Sequence, residues 1–307
     1  MIPYTRKTLP NGLTVVVNRD RASKLAAVNI LYRVGARNEN PARTGFAHLF
    51  EHLMFRGTRT VENFDLPVQM ASGDNNAFTN NDYTDFYITL PKDNLETALW
   101  LESDRMEGLD ITPAKLEAEK KVVIEEFRQR YLNQPYGDQT MLLRALAYKV
   151  HPYRWAAIGL ATDHIAGATL ADVESFYRAH YRPSNAILSI SADMEEERML
   201  ELAEKWFAPL ADHPSATAAI PQEPMQTQAR RQEVERDVPA STVTVAYHMC
   251  ARTKLDFYTA NLVSDLLSGG DSGRLYTHLV KERNLLSSVN TYITGDVDPC
   301  LLYTSDA

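Results

Sequence analysis

Residues 45–55 read GFAHLFEHLMF, a stretch in which His48, Glu51 and His52 interrupt an otherwise apolar run. Phe46, Ala47, Leu49, Phe50, Leu53, Met54 and Phe55 are spread around the whole helical wheel, the pattern of a buried helix rather than a surface one. At about 3.6 residues per turn, positions four apart stand one above the other. Both imidazoles can therefore reach a common point, with Glu51 alongside. Burying such groups without partners costs roughly 2–7 kcal/mol for a neutral polar group and more for a carboxylate. A divalent cation compensates them directly; the competing reading is a core cluster hydrogen-bonded to backbone.

The order H-x-x-E-H inverts the zinc-binding signature H-E-x-x-H. A three-ligand catalytic zinc needs one more donor and leaves a fourth position for water. Residues 112–133, TPAKLEAEKKVVIEEFRQRYLN, open with a Thr cap and a Pro at the first helical position, then continue in helix formers. With Glu119 at zero on the wheel, Leu116, Val122, Val123 and Glu126 fall within about 60° of it, and Lys121 and Arg128 lie opposite. Glu125 points roughly 120° away, towards the rim, so its neighbour Glu126 is the better ligand of the two. Glu119 and Glu126, seven residues apart on an inward face, do not look like a solvated charge run.

Beside this pair of helices stand NGLTVVV (11–17), VGARNENPARTGFAHLFEHLMFRGT (34–58), NNAFTNNDYTDFY (75–87) and EKKVVIEE (119–126). HPYRWAAIG (151–159), FYRAHYRPSNAILSI (176–190) and GGDSGRLYTHLVKERNL (269–285) follow. On these motifs the chain resembles the pitrilysin or insulinase family of zinc peptidases, which includes the mitochondrial processing peptidases and their bacterial relatives. The resemblance implies one Zn2+ per chain, held by His48, His52 and Glu126, with Glu51 as the general base. It also implies that Glu119 orients or tunes the ligands without binding metal. Around the N-A-x-T motif, Asn76, Ala77, Phe78 and Thr79 would form a sheet edge to which a peptide substrate adds as an extra strand, a mode that reads backbone more than side chains. Phe78 could equally be a pocket residue or ordinary packing. The implied activity is a zinc-dependent endopeptidase acting on extended or unfolded peptides; the alternative is a non-catalytic structural or partner subunit of a peptidase complex.

Fold class is expected to be α+β, with two homologous α+β domains in one half-unit and the second cut short. Strand-like runs at 14–17, 26–33 and 76–90 mix with helices over 93–148, 170–180 and 195–208 and a strand at 186–191. These compose a catalytic zinc-binding domain at 1–208. Residues 209–228, rich in Pro, Ala, Ser, Thr and Gln, read as a linker. A partial second domain fills 229–307, with strands at 230–237, 242–248 and 287–294 and helices at 255–267 and 274–282. Because the family closes a chamber from two halves, the resemblance implies a homodimer or heterodimer with a second half-unit.

The remaining signals set limits. A net charge of −8 and a pI near 5.5 argue against a nucleic-acid partner. No run approaches about eighteen uninterrupted apolar residues, which argues against a membrane span. Cys250 and Cys300 are too few for a disulfide framework, leaving metal ligation to histidine and carboxylate. The opening MIPYTRKTLPNGL lacks a signal-peptide pattern. As given, the chain is expected to be cytoplasmic, or periplasmic if its start was trimmed. His151 is expected to cap or pack rather than to bind metal.

Overall fold

The computed structural model describes residues 2–213 and 219–306; positions 214–218 of the expected linker lie outside the described residues, as do Met1 and Ala307. Two compact units emerge, Met1–Phe127 with Trp155–Pro221, and Arg128–Arg154 with Gln222–Ala307. This partition differs from a boundary at residue 208, because residues 128–154 group with the C-terminal segment.

Strands β1 (Thr5–Thr8), β2 (Thr14–Arg19), β3 (Leu25–Tyr32), β4 (Asp74–Thr79), β5 (Thr84–Pro91) and β6 (Ala186–Ala192) form the sheet of the first unit. Their order is β1-β2-β6-β3-β5-β4, antiparallel throughout except for the β2–β6 pair. Alternation with period two builds the core. Val15, Leu188, Ile30 and Phe86 are successive cross-strand partners, as are Val17, Ile190, Val28 and Ile88, and all eight are buried. β4 is left as one edge of the sheet.

The helices of this unit are α1 (Phe46–Leu53), α2 (Asp65–Met70), α3 (Leu95–Glu107) and α4 (Pro113–Phe127). After α5 (Gln139–Ala147), which belongs to the second unit, come α6 (Thr162–Ala166), α7 (Leu170–His180) and α8 (Glu196–Phe207). α3 and α8 pack on the sheet and on each other, whereas α1 sits against β4 and β5 and is backed by α4 and α7. α4 starts where its sequence says it should, with Thr112 Oγ1 accepting the N–H of Lys115 at 3.2 Å. Its inward face differs in one residue from the wheel. Val122 is exposed, and Lys120 is buried instead, reaching the Ala168 carbonyl at 3.1 Å.

In the second unit, β7 (Thr244–His248), α9 (Asp256–Ser268), β8 (Val289–Ile293) and β9 (Leu301–Asp306) follow one another. The sheet order β7-β9-β8, all antiparallel, repeats the β3-β5-β4 order of the first unit, with α1 and α2 between β3 and β4 and α9 between β7 and β8. Mixed α+β architecture repeated in two units is thus what the chain adopts. Residues 230–237 form no strand. Arg230 donates to the carbonyls of Leu146 and Ala147, and Arg236 pairs with Asp138, so this charged segment is held by its side chains. Glu223, inside the expected linker, accepts the backbone N–H groups of Lys149, Val150 and His151 at 2.8–3.0 Å. Among the described residues no helix is long and apolar enough to cross a membrane.

Candidate metal centre

α1 begins at Gly45, whose φ of +90° suits glycine and whose absent Cβ would stand 2.6 Å from the Ile158 carbonyl oxygen. Glycine has no side chain to cap a helix, and Glu39 does so from outside. Its carboxyl group accepts the N–H of Gly45 at 2.9 Å, that of Ala47 at 2.8 Å and the indole N–H of Trp155 at 3.2 Å. Phe46 and Phe50 then fasten the helix to Phe176, and Phe50 also stacks on Tyr181. His48 and His52 remain as neighbours, their ring centroids 4.8 Å apart and their planes nearly perpendicular.

α4 brings Glu126 to this pair. Its Oε2 lies 3.6 Å from Nε2 of His48 and 3.4 Å from Nε2 of His52. One donor atom from each of the three residues falls within 4.8 Å of the others. Donors bound at about 2.1 Å to a tetrahedral ion stand about 3.4 Å apart, so the spacing fits zinc, as does a set of two imidazoles and a carboxylate.

Glu119, two turns earlier and 1% exposed, lies behind His52, with Oε2 3.4 Å from Nδ1 and Oε1 in an ion pair with Arg56 Nε at 2.6 Å. Burial raises the Glu119 carboxyl, but contact with His52 and Arg56 outweighs it and holds the group below its ordinary value. For His52 burial acts downwards, and the carboxylates of Glu119 and Glu126 overcome it, lifting the imidazole to about 9. A position that draws a proton so strongly is electrostatically suited to a cation. Glu51 stands on α1 beside His52, half-buried. Its charge adds to the rise that burial first causes in the Tyr181 phenol.

Asn76, Ala77, Phe78 and Thr79 lie on the edge strand beside α1, outside the ligand cluster itself. Asn76 is exposed and its Oδ1 accepts the N–H of Ala77 at 2.8 Å. Phe78 is 43% exposed, its ring meeting Tyr83 edge-on at 5.8 Å. Thr79 donates to Thr84 Oγ1 at 3.3 Å.

Comparison with known proteins bears on the family of the chain. The model of the insulinase family (peptidase family M16) matches residues 14–156, and that of the peptidase M16 inactive domain matches residues 167–305. The chain belongs to the M16 peptidase family. It is 34% identical to the zinc protease PqqE of Helicobacter pylori over 91% of this chain and 64% of that protein. Against the probable mitochondrial-processing peptidase subunit beta of Arabidopsis thaliana the identity is 26%, over 86% of this chain and 50% of the relative. A solved protease structure from Helicobacter pylori superposes with a TM-score of 0.93 at 32% identity, covering 100% of this chain and 75% of that one. The chain thus spans between half and two-thirds of the length of these two curated relatives.

Two residues of this M16 chain escaped the sequence reading. Glu39 is an unremarkable loop acid in the sequence, and the one signal for it was a helix start at Gly45 with no capping side chain. Arg56 lies 63 positions before Glu119, and no periodicity links them. His151 belongs to the second unit, where Nδ1 accepts the N–H of Tyr153 at 3.1 Å and Nε2 faces Asp298 at 3.3 Å.

Proposed function

We propose that this chain is a zinc-dependent endopeptidase that hydrolyses extended or unfolded peptides. His48, His52 and Glu126 would hold the ion, and the observation that carries the reading is the 3.4 and 3.6 Å spacing of their donor atoms. A zinc ion there supplies Lewis acidity, lowering the pKa of water towards about 7 and polarising the scissile carbonyl. Glu51 takes the proton of the attacking water and passes it to the leaving amine. Glu119 fixes the ring of His52 through its other nitrogen, a kind of contact whose loss costs about 10–100-fold in affinity or activity. The edge strand β4 offers its backbone to the substrate through Asn76, Ala77, Phe78 and Thr79.

Peptides are the partners this reading implies, together with a second half-unit in a homodimer or heterodimer. A non-catalytic partner subunit is the second reading, and the inactive-domain match over residues 167–305 favours it. The presence of His48, Glu51, His52 and Glu126 in one chain favours the enzyme.

Hydrolysis of a quenched fluorogenic peptide, measured alongside zinc content, separates the two. Activity should vanish with chelator and in Glu51→Gln, while Glu51→Gln keeps its zinc and His48→Ala and Glu126→Ala lose it. Equal turnover in all samples, or none in zinc-loaded wild type, refutes the peptidase reading.

A further inference from the structure

We propose that Arg56 is a positioning residue for the metal centre, holding the Glu119 carboxylate against Nδ1 of His52 and so fixing the imidazole whose Nε2 faces the metal position. This rests on the reading that His48, His52 and Glu126 hold zinc.

The turn after α1 delivers the guanidinium. Arg56 N–H donates to the Leu53 carbonyl at 3.0 Å, and Gly57 follows with φ +94°, where a Cβ would meet the Glu62 carbonyl oxygen at 2.5 Å. Phe55 anchors one side of this turn, its ring 5.8 Å from that of Phe64 and 6.0 Å from that of Phe86. Arg56 leaves on the other side and reaches Glu119.

The two oxygens of that carboxylate are divided between two partners. Oε1 pairs with Arg56 Nε at 2.6 Å, and Oε2 lies 3.4 Å from His52 Nδ1. The Glu119 side chain is 1% exposed and that of Arg56 51%, so the arginine meets a buried anion from the solvent side. A cation faces one oxygen and an imidazole the other, and these contacts oppose rotation of Glu119 into the metal position. The donor set stays at two nitrogens and one oxygen, with a fourth position open for water.

Two effects of losing Arg56 have opposite signs. Removing a positive charge beside a cation site would by itself tighten zinc binding. Releasing Glu119, and with it His52, weakens it. The sign of the change therefore tells positioning from through-space charge.

The test is zinc affinity of the purified chain, by competition with a chromophoric chelator, with far-UV circular dichroism as the check on folding. Arg56→Gln should weaken binding about tenfold, the low end for partners that orient a ligand. In a Glu119→Gln background the same substitution should add nothing, since Arg56 acts through that carboxylate. Arg56→Lys should recover most of the affinity. Unchanged or tighter binding by Arg56→Gln, or additive losses in the double variant, overturns the proposal. Should Arg56→Gln not fold, Arg56→Lys carries the test, and a loss as large as that of Glu119→Gln overturns it. A wild-type chain without zinc affinity, or His48→Ala binding like wild type, removes the underlying zinc reading itself.

Discussion

The Glu39 carboxyl group accepts the backbone N–H of Ala47 at 2.8 Å, and so caps the helix that carries both histidines from eight residues away. Its other oxygen takes the N–H of Gly45 and the indole N–H of Trp155. Glu39→Ala strands the N–H groups of Gly45 and Ala47 in the core, while the Trp155 indole keeps the Ala36 carbonyl at 3.0 Å, and each buried unsatisfied donor costs about 1–3 kcal/mol. Urea denaturation of the variant should show a loss of about 2 kcal/mol or more. An unchanged midpoint would mean that the helix start is satisfied some other way.

Glu39 also sets a pH dependence. Burial pushes its carboxyl from an ordinary 4.5 up to about 8, against the pull of the donors from Ala47, Gly45 and Trp155. Between those values the folded chain keeps a proton that the unfolded chain has released. Stability from this group is therefore full below about 4.5 and is lost as pH rises through about 8. Glu39→Gln cannot titrate, so the unfolding free energy of wild type relative to it should fall as pH is raised across that window. A flat difference would show that Glu39 is ionised throughout.

What could be read from the chain alone, and what could not, follows the range of each interaction. His48 and His52 are one helical turn apart, and Glu119 and Glu126 share a face two turns apart, so local periodicity fixes each pair. A buried helix and one with an apolar inward face, each carrying polar groups on that side, then have reason to meet. Glu39 with Ala47 and Arg56 with Glu119 depend on loop paths that periodicity does not describe. Residues 230–237 misled because RRQEVERD offers one valine, Val234, and no alternating apolar face, and its charges end up paired in coil. β1 carries no apolar residue at all over Thr5–Thr8, and only pairing with β2 makes it a strand. β9 is six residues long, and its central place depends on pairing with β7, whose His248 lies 53 positions before Leu301.

Beneath the turn that follows α1, Arg105 and Glu102 form an ion pair that is essentially sealed from solvent, with Nε 2.7 Å from Oε2. The guanidinium carbon lies 4.2 Å from the ring centre of Phe86 and 4.4 Å from that of Phe64. Removing one member leaves the other charge buried without its partner, a change that costs about 3–5 kcal/mol. Arg105→Ala should lose that much in urea denaturation. Glu102→Leu combined with Arg105→Met should lose less than Arg105→Ala, because no charge is then left in the core. A double variant less stable than the single would show that the pair itself, rather than compensation of an isolated charge, holds α3 in place.

Ala77 offers the sharpest check on how a peptide would be held. Its N–H is bonded to the side chain of Asn76, not to β5, so it points out of the sheet at the free edge. The pairing agrees: Asn80 N–H meets the Tyr83 carbonyl, which makes the Ala77 and Phe86 pair one whose backbone groups face away from each other. Proline at position 77 removes this outward donor and leaves the ladder to β5 intact, the setting in which an edge strand tolerates it. A backbone hydrogen bond is worth about 0.5–1.5 kcal/mol net, or roughly a two- to tenfold change in binding. Ala77→Pro should therefore lower kcat/KM on a fluorogenic peptide by about that factor, with zinc content and thermal unfolding unchanged. Full activity in a folded, zinc-loaded Ala77→Pro chain rules out strand addition through this N–H, because the donor it requires would no longer exist.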